Sequence, residues 1–570
     1  MTSPSRSRLE FLGADLFGLS KFARQSLSQR GRTPEEGSPS LPSKLDDISV
    51  PADRFLPDER EELSAKIEEQ LTAIGSHVAV LESTRSLREE GACVVICEAT
   101  PDLLGGPLST IYKALTAVRL ARSLSEKWGC PVVPILWNLA DEVAASPSVR
   151  IVTPHLDLRT LHLPGVLPTR VPYAEFTVDQ HEHRLISLTE VMRDMFAADL
   201  NSHESLTRFA PRHGESLARA YTRAMTGLLG HLGLVVVEPS WLRADLSRAL
   251  ALVVAPNPTS ALEECRANME AAGFELSPTL GELAPVEHLR AGRHYALHFG
   301  GEGYRFDDEP GSRTPVELAA EIVTKPESFR PGPLLRPLVQ DLALPVAAHV
   351  GDFDELARLA QLPKLRLARD VPCPAFVQTM SCTLLDEATE QTLAEVDCSV
   401  GDYLQTGGQA AEKKAGESKL SAKPAPEELA AEIHAMSKAF RKELNALRPR
   451  LDEVSSHLPQ MLKHASRQVH GQLQRFAEKV DRVCNNNIGG ARRDLRRLAS
   501  HLLPDGQAQE TVLTSVQLCA RFGTDWIDQL LLETDPLPAE HVVFRLGRAP
   551  KRRQCRSDGG GAGEDELGSL

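Results

Sequence analysis

The stretch CEATPDLLGGPLSTIYKALTAVRLA, residues 97–121, holds the first residues whose types and spacing could do chemistry. Gly105, Gly106 and Pro107 stand just before a helical pattern. Glycines there offer backbone N–H groups at the positive end of a helix, which suits a phosphate or carboxylate. The same residues also make an ordinary tight turn with proline near the first helical position. Ser109, Tyr112 and Lys113 follow on the first helical turns, where Lys113 either reaches an anion or is solvated. Asp141 and Glu142 come directly after the apolar run CPVVPILW. A carboxylate at the carboxyl end of a parallel strand could serve as a general base, or be a solvated loop acid or helix cap. In RPLVQD, Arg336 and Gln340 are four apart and share a helical face. The Arg336 fork suits a ligand carboxylate, or pairs with an acid such as Asp341 to staple two domains. Gln378 and Ser381 follow the strand-like CPAFVQ, as ligand contacts or as turn residues. The 18 histidines and 10 cysteines form no HExxH, no CxxC and no paired zinc spacing, so no metal site is expected. His181 and His183 fall in a polar loop.

The elements that must position these residues are legible as strand, helix, strand. GACVVICEA is a short apolar run with β-branched residues, and CPVVPILW is another. Between them LSTIYKALTAVRLARSLSEKWG carries Ile111, Leu115, Val118 and Leu124 at helical spacing and closes on Gly129. A βαβ crossover with continuously apolar strands implies a parallel sheet covered on both faces. GLVVVEPS and VAAHV read as further buried strands, and HYALHFGGEGYRFDD as a hairpin turning on Gly300, Gly301 and Gly303.

A chain of 570 residues needs more than one core. Residues 1–50, rich in Ser, Pro, Arg and Gly, predict a disordered tail, and 51–90 predict N-terminal helices with Leu63, Ile67, Leu71 and Ile74 inward. Residues 91–400 read as an α/β core with insertions near 150–230 and 285–330. Residues 401–426 read as a flexible linker. Residues 427–505 carry near-heptad apolar spacing (Leu429, Ile433, Met436, Phe440, Leu447, Leu451, Val454, Leu458, Met461) and predict coiled-coil helices, interrupted at Pro449 and Pro459. Residues 506–546 predict a segment packing on the core, and 547–570 a disordered tail. The net charge of -14 argues against nucleic acid as a partner. No apolar run reaches 18 residues, so no membrane span is expected. The N-terminus lacks the apolar stretch of a secretory signal, and scattered cysteines then read as reduced thiols of a cytoplasmic protein.

Several blocks, in order, resemble the bacillithiol-biosynthesis cysteine-adding enzymes, or cysteine ligases. They are LLGGPLSTIYKALTAVRLARSLSEKWGCPVVPILW, GLVVVEPSWL, LLRPLVQDLALPVAAHVG, LLPDGQAQETVL, FGTDWIDQLL and HVVFRL, spread over residues 90–546. The resemblance implies a Rossmann-like core with helical connecting insertions, a C-terminal α-helical coiled coil and a homodimer. It also implies an activity: joining cysteine to the amine of glucosaminyl malate. Amide formation from a free carboxylate is uphill, so the carboxylate must be activated. ATP is a candidate cofactor, although no Walker A loop and no GxGxxG precedes the crossover helix. The departures are informative. Where the family carries a Gly-Gln-Gln-x-Gly run, this chain has Glu98, Ala99, Thr100, Pro101 and Asp102. Where it carries Gly-Glu-Asp-His-Asp, this chain has Ala140, Asp141, Glu142, Val143 and Ala144, and Gly-Gly-Pro-Gly-Glu becomes Gly351, Asp352, Phe353, Asp354 and Glu355. Glu98 and Asp102 should then push away an acidic sugar conjugate. Three readings follow: a cysteine ligase with altered loops, a non-catalytic relative, or a ligase for a more cationic acceptor.

Overall fold

The structure, a computed structural model, describes residues 9–13, 15–143, 148–153, 156–162, 170–177, 191–192, 201–274, 285–300, 303–307, 310–417, 426–455, 458–487 and 490–547. His181, His183, the side chains of Cys484 and Cys555, and residues 548–570 of the expected tail lie outside the described residues.

Where composition predicts a disordered tail over residues 1–50, its described part instead holds strand β1 (Leu9–Leu12) and the helix Lys21–Ser28. The partner of β1 lies at the far end of the chain, so no local signal announces it. Arg30 adds a second tie by donating to the carbonyls of Leu537 (2.6 Å) and Pro538 (3.0 Å). After the helices Pro57–Ile74 and Val78–Ser86 comes β2 (Cys93–Ala99), then the crossover helix Leu108–Trp128 and β3 (Val132–Asn138). The first insertion contains the hairpin β4 (Ser148–Val152) and β5 (Leu158–His162) and the helices Ser202–Phe209 and Leu217–Leu229. Strand β6 (Val235–Val237) follows, and the apolar run after it is the helix Arg243–Val254. The second insertion is an antiparallel sheet of β7 (Val286–Arg290), β8 (Arg293–Gly300), β9 (Gly303–Phe306), β10 (Ser312–Arg313) and β11 (Phe329–Pro331). Within it β8 and β9 form the hairpin that the glycines predict. The helix Arg336–Ala343 leads into β12 (Val346–Gly351), and β13 (Ala375–Gln378) completes the main sheet.

That sheet runs β13-β12-β2-β3-β6, and every neighbour pair is parallel. From β2 the chain winds outward through β3 and β6, then returns to β12 and winds the other way to β13. The reversal lies between β2 and β12. At such a switch point the carboxyl ends of the strands diverge and leave a crevice, which is where open α/β sheets bind ligands. Strands β2, β3 and β12 are buried along their whole length because helices cover both faces.

The strand-like CPAFVQ is followed at once by a second strand. Strand β13 ends the main sheet, and β14 (Ser381–Leu385) joins a second sheet of order β1-β15-β14 with β15 (His541–Arg545). Part of the expected linker is also ordered. Val400–Gln405 and Gln409–Glu417 are helical, and Tyr403, Leu404 and Ala411 are buried with Leu498 and Leu502. These apolar residues are too sparse for a periodic pattern, yet they find a partner face. Beyond this the helices Pro426–Ala446 and Arg448–Val454 pack against Leu458–Asn487 as a hairpin. Pro449 and Pro459 each sit in the first turn of a helix, where a missing N–H costs nothing.

Candidate functional site

Glu98, the penultimate residue of β2, sits at the switch point and is the hub of the cleft. Arg336 opens the helix behind it and grips it with two bonds, Nε to Oε1 at 2.7 Å and Nη2 to Oε2 at 3.0 Å. Gln340, one turn on, donates to the same Oε1 at 3.0 Å. The remaining arm of Arg336 reaches Glu142 at 2.9 Å. Burial alone would raise the Glu98 carboxyl, but Arg336, with help from Arg358 and Gln340, outweighs it and holds the value at about 2. Arg336 and Gln340 thus share a face, as their spacing predicts. Their partner is an acid of the chain itself.

Asp141 is held just as firmly. Arg243 makes a bidentate pair with it at 2.7 and 2.8 Å, and Arg330 adds a bond at 3.1 Å. Burial pushes this carboxyl up, yet the two guanidiniums keep it well below the ordinary carboxylate range. Asp141 is therefore a poor proton acceptor at neutral pH, which corrects its reading as a general base. Glu142, read the same way, is a partner of Arg336. On the other side of β2, Lys113 pairs with Glu355 (2.8 Å) and Asp352 (3.2 Å). Burial lowers the ammonium value, but the two acids more than reverse this. Burial lifts Glu355 to about 7 despite Lys113.

Asp102 differs from these acids. It has no cationic partner among the described residues, and only the nearby Tyr173 hydroxyl works to lower its value. Burial, then the nearby Glu142 charge, raise it to about 6. Six carboxylates (Glu98, Asp102, Asp141, Glu142, Asp352, Glu355) thus meet five cations (Lys113, Arg243, Arg330, Arg336, Arg358). Between Trp137, Leu139, Pro239, Leu246 and Val339 and the charged Asp141, Glu142, Glu287 and Arg336 the free volume is about 20 Å³, room for roughly one water. Glu287 also lines the cavity, so the cluster keeps a net negative charge, but the charge of Glu98 itself is compensated by Arg336 inside the protein.

The Gly105-Gly106 turn is not an open anion cradle. The first helical N–H, of Leu108, donates to the Leu513 carbonyl at 2.9 Å, and Ser515 N–H donates to the Gly106 carbonyl at 3.2 Å. Gly105 has φ +90°, and a Cβ on it would stand 2.4 Å from the Phe209 ring. The glycines are needed for a positive φ and for this close approach. The residues here do not fit the pyrophosphate of a nucleotide. Ser109 is half-buried on the same helix, and Tyr112 is wholly buried with no surface for a ligand.

The other expected contacts are dispersed. Asp341 points away from the cleft to His349 (2.8 Å) and Arg366 (2.6 Å), a buried staple between the helix Arg336–Ala343, β12 and the helix Pro363–Ala368. Gln378 faces Leu27, Arg30 and Leu41 of the N-terminal segment. The Ser381 hydroxyl donates to Glu510 at 2.8 Å and meets His541 Nδ1 at 2.7 Å, tying β14 to β15. Sequence reasoning missed Arg243, Arg330, Arg358 and Tyr173. They come from other elements and carry no local motif. The only available signal was that buried acids at strand ends require cations from somewhere.

Fold and cleft together define a Rossmann-like α/β protein with a C-terminal coiled-coil domain. Comparison with known families agrees: "Bacillithiol biosynthesis BshC, N-terminal Rossmann-like domain" matches residues 45–378, and "Bacillithiol biosynthesis BshC, C-terminal coiled-coil domain" matches 382–546. The chain belongs to the bacillithiol biosynthesis BshC family. Similar relatives bear the name "Putative cysteine ligase BshC". The one from Koribacter versatilis is 24% identical over 506 residues, covering 86% of this chain and 91% of its own. Those from Solibacter usitatus (24% over 448 residues, 77% and 82% covered) and Geobacillus thermodenitrificans (23% over 492 residues, 82% and 87% covered) are comparable. Among the described residues no helix is long and apolar enough to cross a membrane.

Proposed function

We propose that this chain is a cytoplasmic cysteine ligase that joins the carboxyl of cysteine to the amine of glucosaminyl malate through an amide bond. Family membership over both domains supports the reaction class. Asp102 is the observation that carries the chemistry. A half-buried carboxylate raised to about 6 beside Glu142, just past the carboxyl end of β2, takes a proton from an acceptor ammonium at neutral pH and releases it again. The freed amine attacks the activated carboxyl carbon of cysteine. The C–N bond forms and the bond to the leaving group breaks, its electron pair departing with that group; the first ammonium proton rests on Asp102, and the second, shed as the amide nitrogen forms, leaves with the departing group. Asp141 keeps Arg243 and Arg330 in place and takes no proton.

Purified full chain incubated with cysteine, glucosaminyl malate and ATP is expected to give bacillithiol, detected by mass. Asp102→Asn is expected to lower kcat by about 10²–10⁴-fold with a smaller effect on KM. A second reading, a non-catalytic relative, is favoured by the full pairing of Arg336 and Asp141. Silence from the wild-type chain beside an active relative would select it. Product with a cationic amine but not with glucosaminyl malate would move the acceptor and leave the reaction class standing.

We also infer a homodimer through the coiled coil. Phe440 on the outgoing helix, Leu447 and Val454 near the turn, and Met461 and Phe476 on the returning helix remain 42%, 42%, 75%, 65% and 55% exposed. Exposed apolar side chains on both arms of a helical hairpin are what a second helix pair covers. Val454→Glu is expected to convert a dimer to a monomer in light scattering.

A further inference from the structure

A second cavity, of about 670 Å³, lies away from the cleft. The helix Leu217–Leu229 begins beside the carboxyl end of β3, where Asn138 donates to the Ala218 carbonyl at 3.0 Å. It ends just before β6 starts. Its last turns, with Thr226 and Gly227, therefore stand at the opposite edge of the sheet. There they form a groove with the turn Ile74–His77 and the helix Ser202–Phe209.

The lining is unusual for a chain of net charge -14. Arg208, Arg212, Arg223, His77, His203 and His231 face the groove, against one lining acid, Glu204. Arg208 pairs with Glu204 at 2.8 Å, Arg223 is held by Glu215 at 2.7 Å, and His231 meets Asp528 at 2.7 Å. Arg212 is exposed, and its guanidinium makes no ion pair within 4 Å among the described residues, although its charge is felt by Glu215, whose carboxylate is held by Arg223. His77 accepts the Ala79 N–H through Nδ1, which leaves the proton on Nε2 as a donor. Two hydroxyls are left without partners: Thr226 Oγ1, on a residue only 2% exposed, and Ser76 Oγ. A helical threonine ordinarily returns its hydroxyl to a backbone carbonyl. This one does not, and a buried unpaired hydroxyl is costly unless something meets it.

We propose that this groove is a binding site for a small dianionic molecule, a phosphate ester or a dicarboxylate. Arg212 supplies the free guanidinium fork and Thr226 the buried hydroxyl. A planar fork pairs with either group through two parallel bonds, and the volume suits a ligand of metabolite size. The site stands at the sheet edge opposite the ligase cleft, so it is an effector or secondary-substrate site that does not depend on the proposed reaction.

The test is calorimetric titration of the full chain with inorganic pyrophosphate in one arm and malate in the other. Saturable binding in either arm is expected, and the arm that responds names the ligand class. Arg212→Ala is expected to weaken it about tenfold or more, with Arg212→Lys intermediate and Thr226→Val a smaller loss. Glu142→Gln, in the cleft, leaves the Arg336–Glu98 pair in place and is expected to leave binding unchanged. Arg212 is exposed, so its variants should unfold at the wild-type temperature, and this is checked first. No binding in either arm would overturn the proposal. So would binding indifferent to Arg212 and Thr226, or binding lost with Glu142→Gln in a variant that unfolds at the wild-type temperature. These readouts are of binding alone and stand apart from success or failure of the ligase assay.

Discussion

The cleft at the switch point and the groove at the opposite sheet edge are both lined by arginines, yet they are built on opposite principles. In the cleft Arg336, Arg243 and Arg330 are paired with acids of the same chain, although Arg243 Nε has no hydrogen-bond partner, and about 20 Å³ is left free. In the groove Arg212 and Thr226 wait beside about 670 Å³ of space. The difference teaches that arginine content does not mark an anion site. What marks it is whether the guanidinium has already found its carboxylate. Buried pairs hold geometry, and breaking one partner costs far more than the pair contributes. Exposed unpaired cations cost the fold little and stay free for ligand.

The largest test of this contrast is Arg336→Ala. It leaves Glu98 buried and without its bidentate partner, and about 3–5 kcal/mol of stability is expected to be lost in urea unfolding. Combining it with Glu98→Gln should recover much of that loss, since the uncompensated charge is then gone.

Acid unfolding sharpens the same point. The folded value of Glu98, about 2, is below its ordinary 4.5. A depressed carboxylate contributes stability that is fully present above its unfolded value and is lost as pH falls through the folded one. Asp141 is depressed in the same direction. Stability is thus expected to fall between about pH 4.5 and pH 2, steeply in the wild type and less steeply in Glu98→Gln, as followed by circular dichroism.

Gly105→Ala comes next. A methyl group 2.4 Å from the Phe209 ring at φ +90° is expected to cost roughly 2–3 kcal/mol, read as a lowered unfolding temperature. An unchanged temperature would mean that the turn is looser than its contacts with Phe209, Leu513 and Ser515 imply.

The smallest effect is expected in the groove. Arg212→Ala without ligand should change stability by less than about 0.5 kcal/mol. A loss comparable to that of Arg336→Ala would erase the distinction between the two regions.

Much of the fold was legible in the chain. Continuous apolar runs gave β2, β3, β6 and β12, helical spacing gave the crossover helix, and heptad spacing gave the coiled-coil helices. The N-terminal strand was not legible, because β1 exists through its pairing with β15 at the other end of the sequence. The site was legible in part. Glu98, Asp102, Asp141, Glu142 and Arg336 stood out as charges at strand and helix ends. Their relations did not: the spacing of Arg336 and Gln340 showed a common face but could not show that Glu98 would fill it.

The sequence by itself determined the parallel sheet, its crossover and the helical arm, because hydrophobic periodicity is local and each element carries its own pattern. Only the tertiary structure decided which charges neutralise one another, which carboxyl is left with a value near 6, and which arginine stays unpaired. Electrostatic energy depends on distances between side chains from separate elements, and on the burial those elements create together.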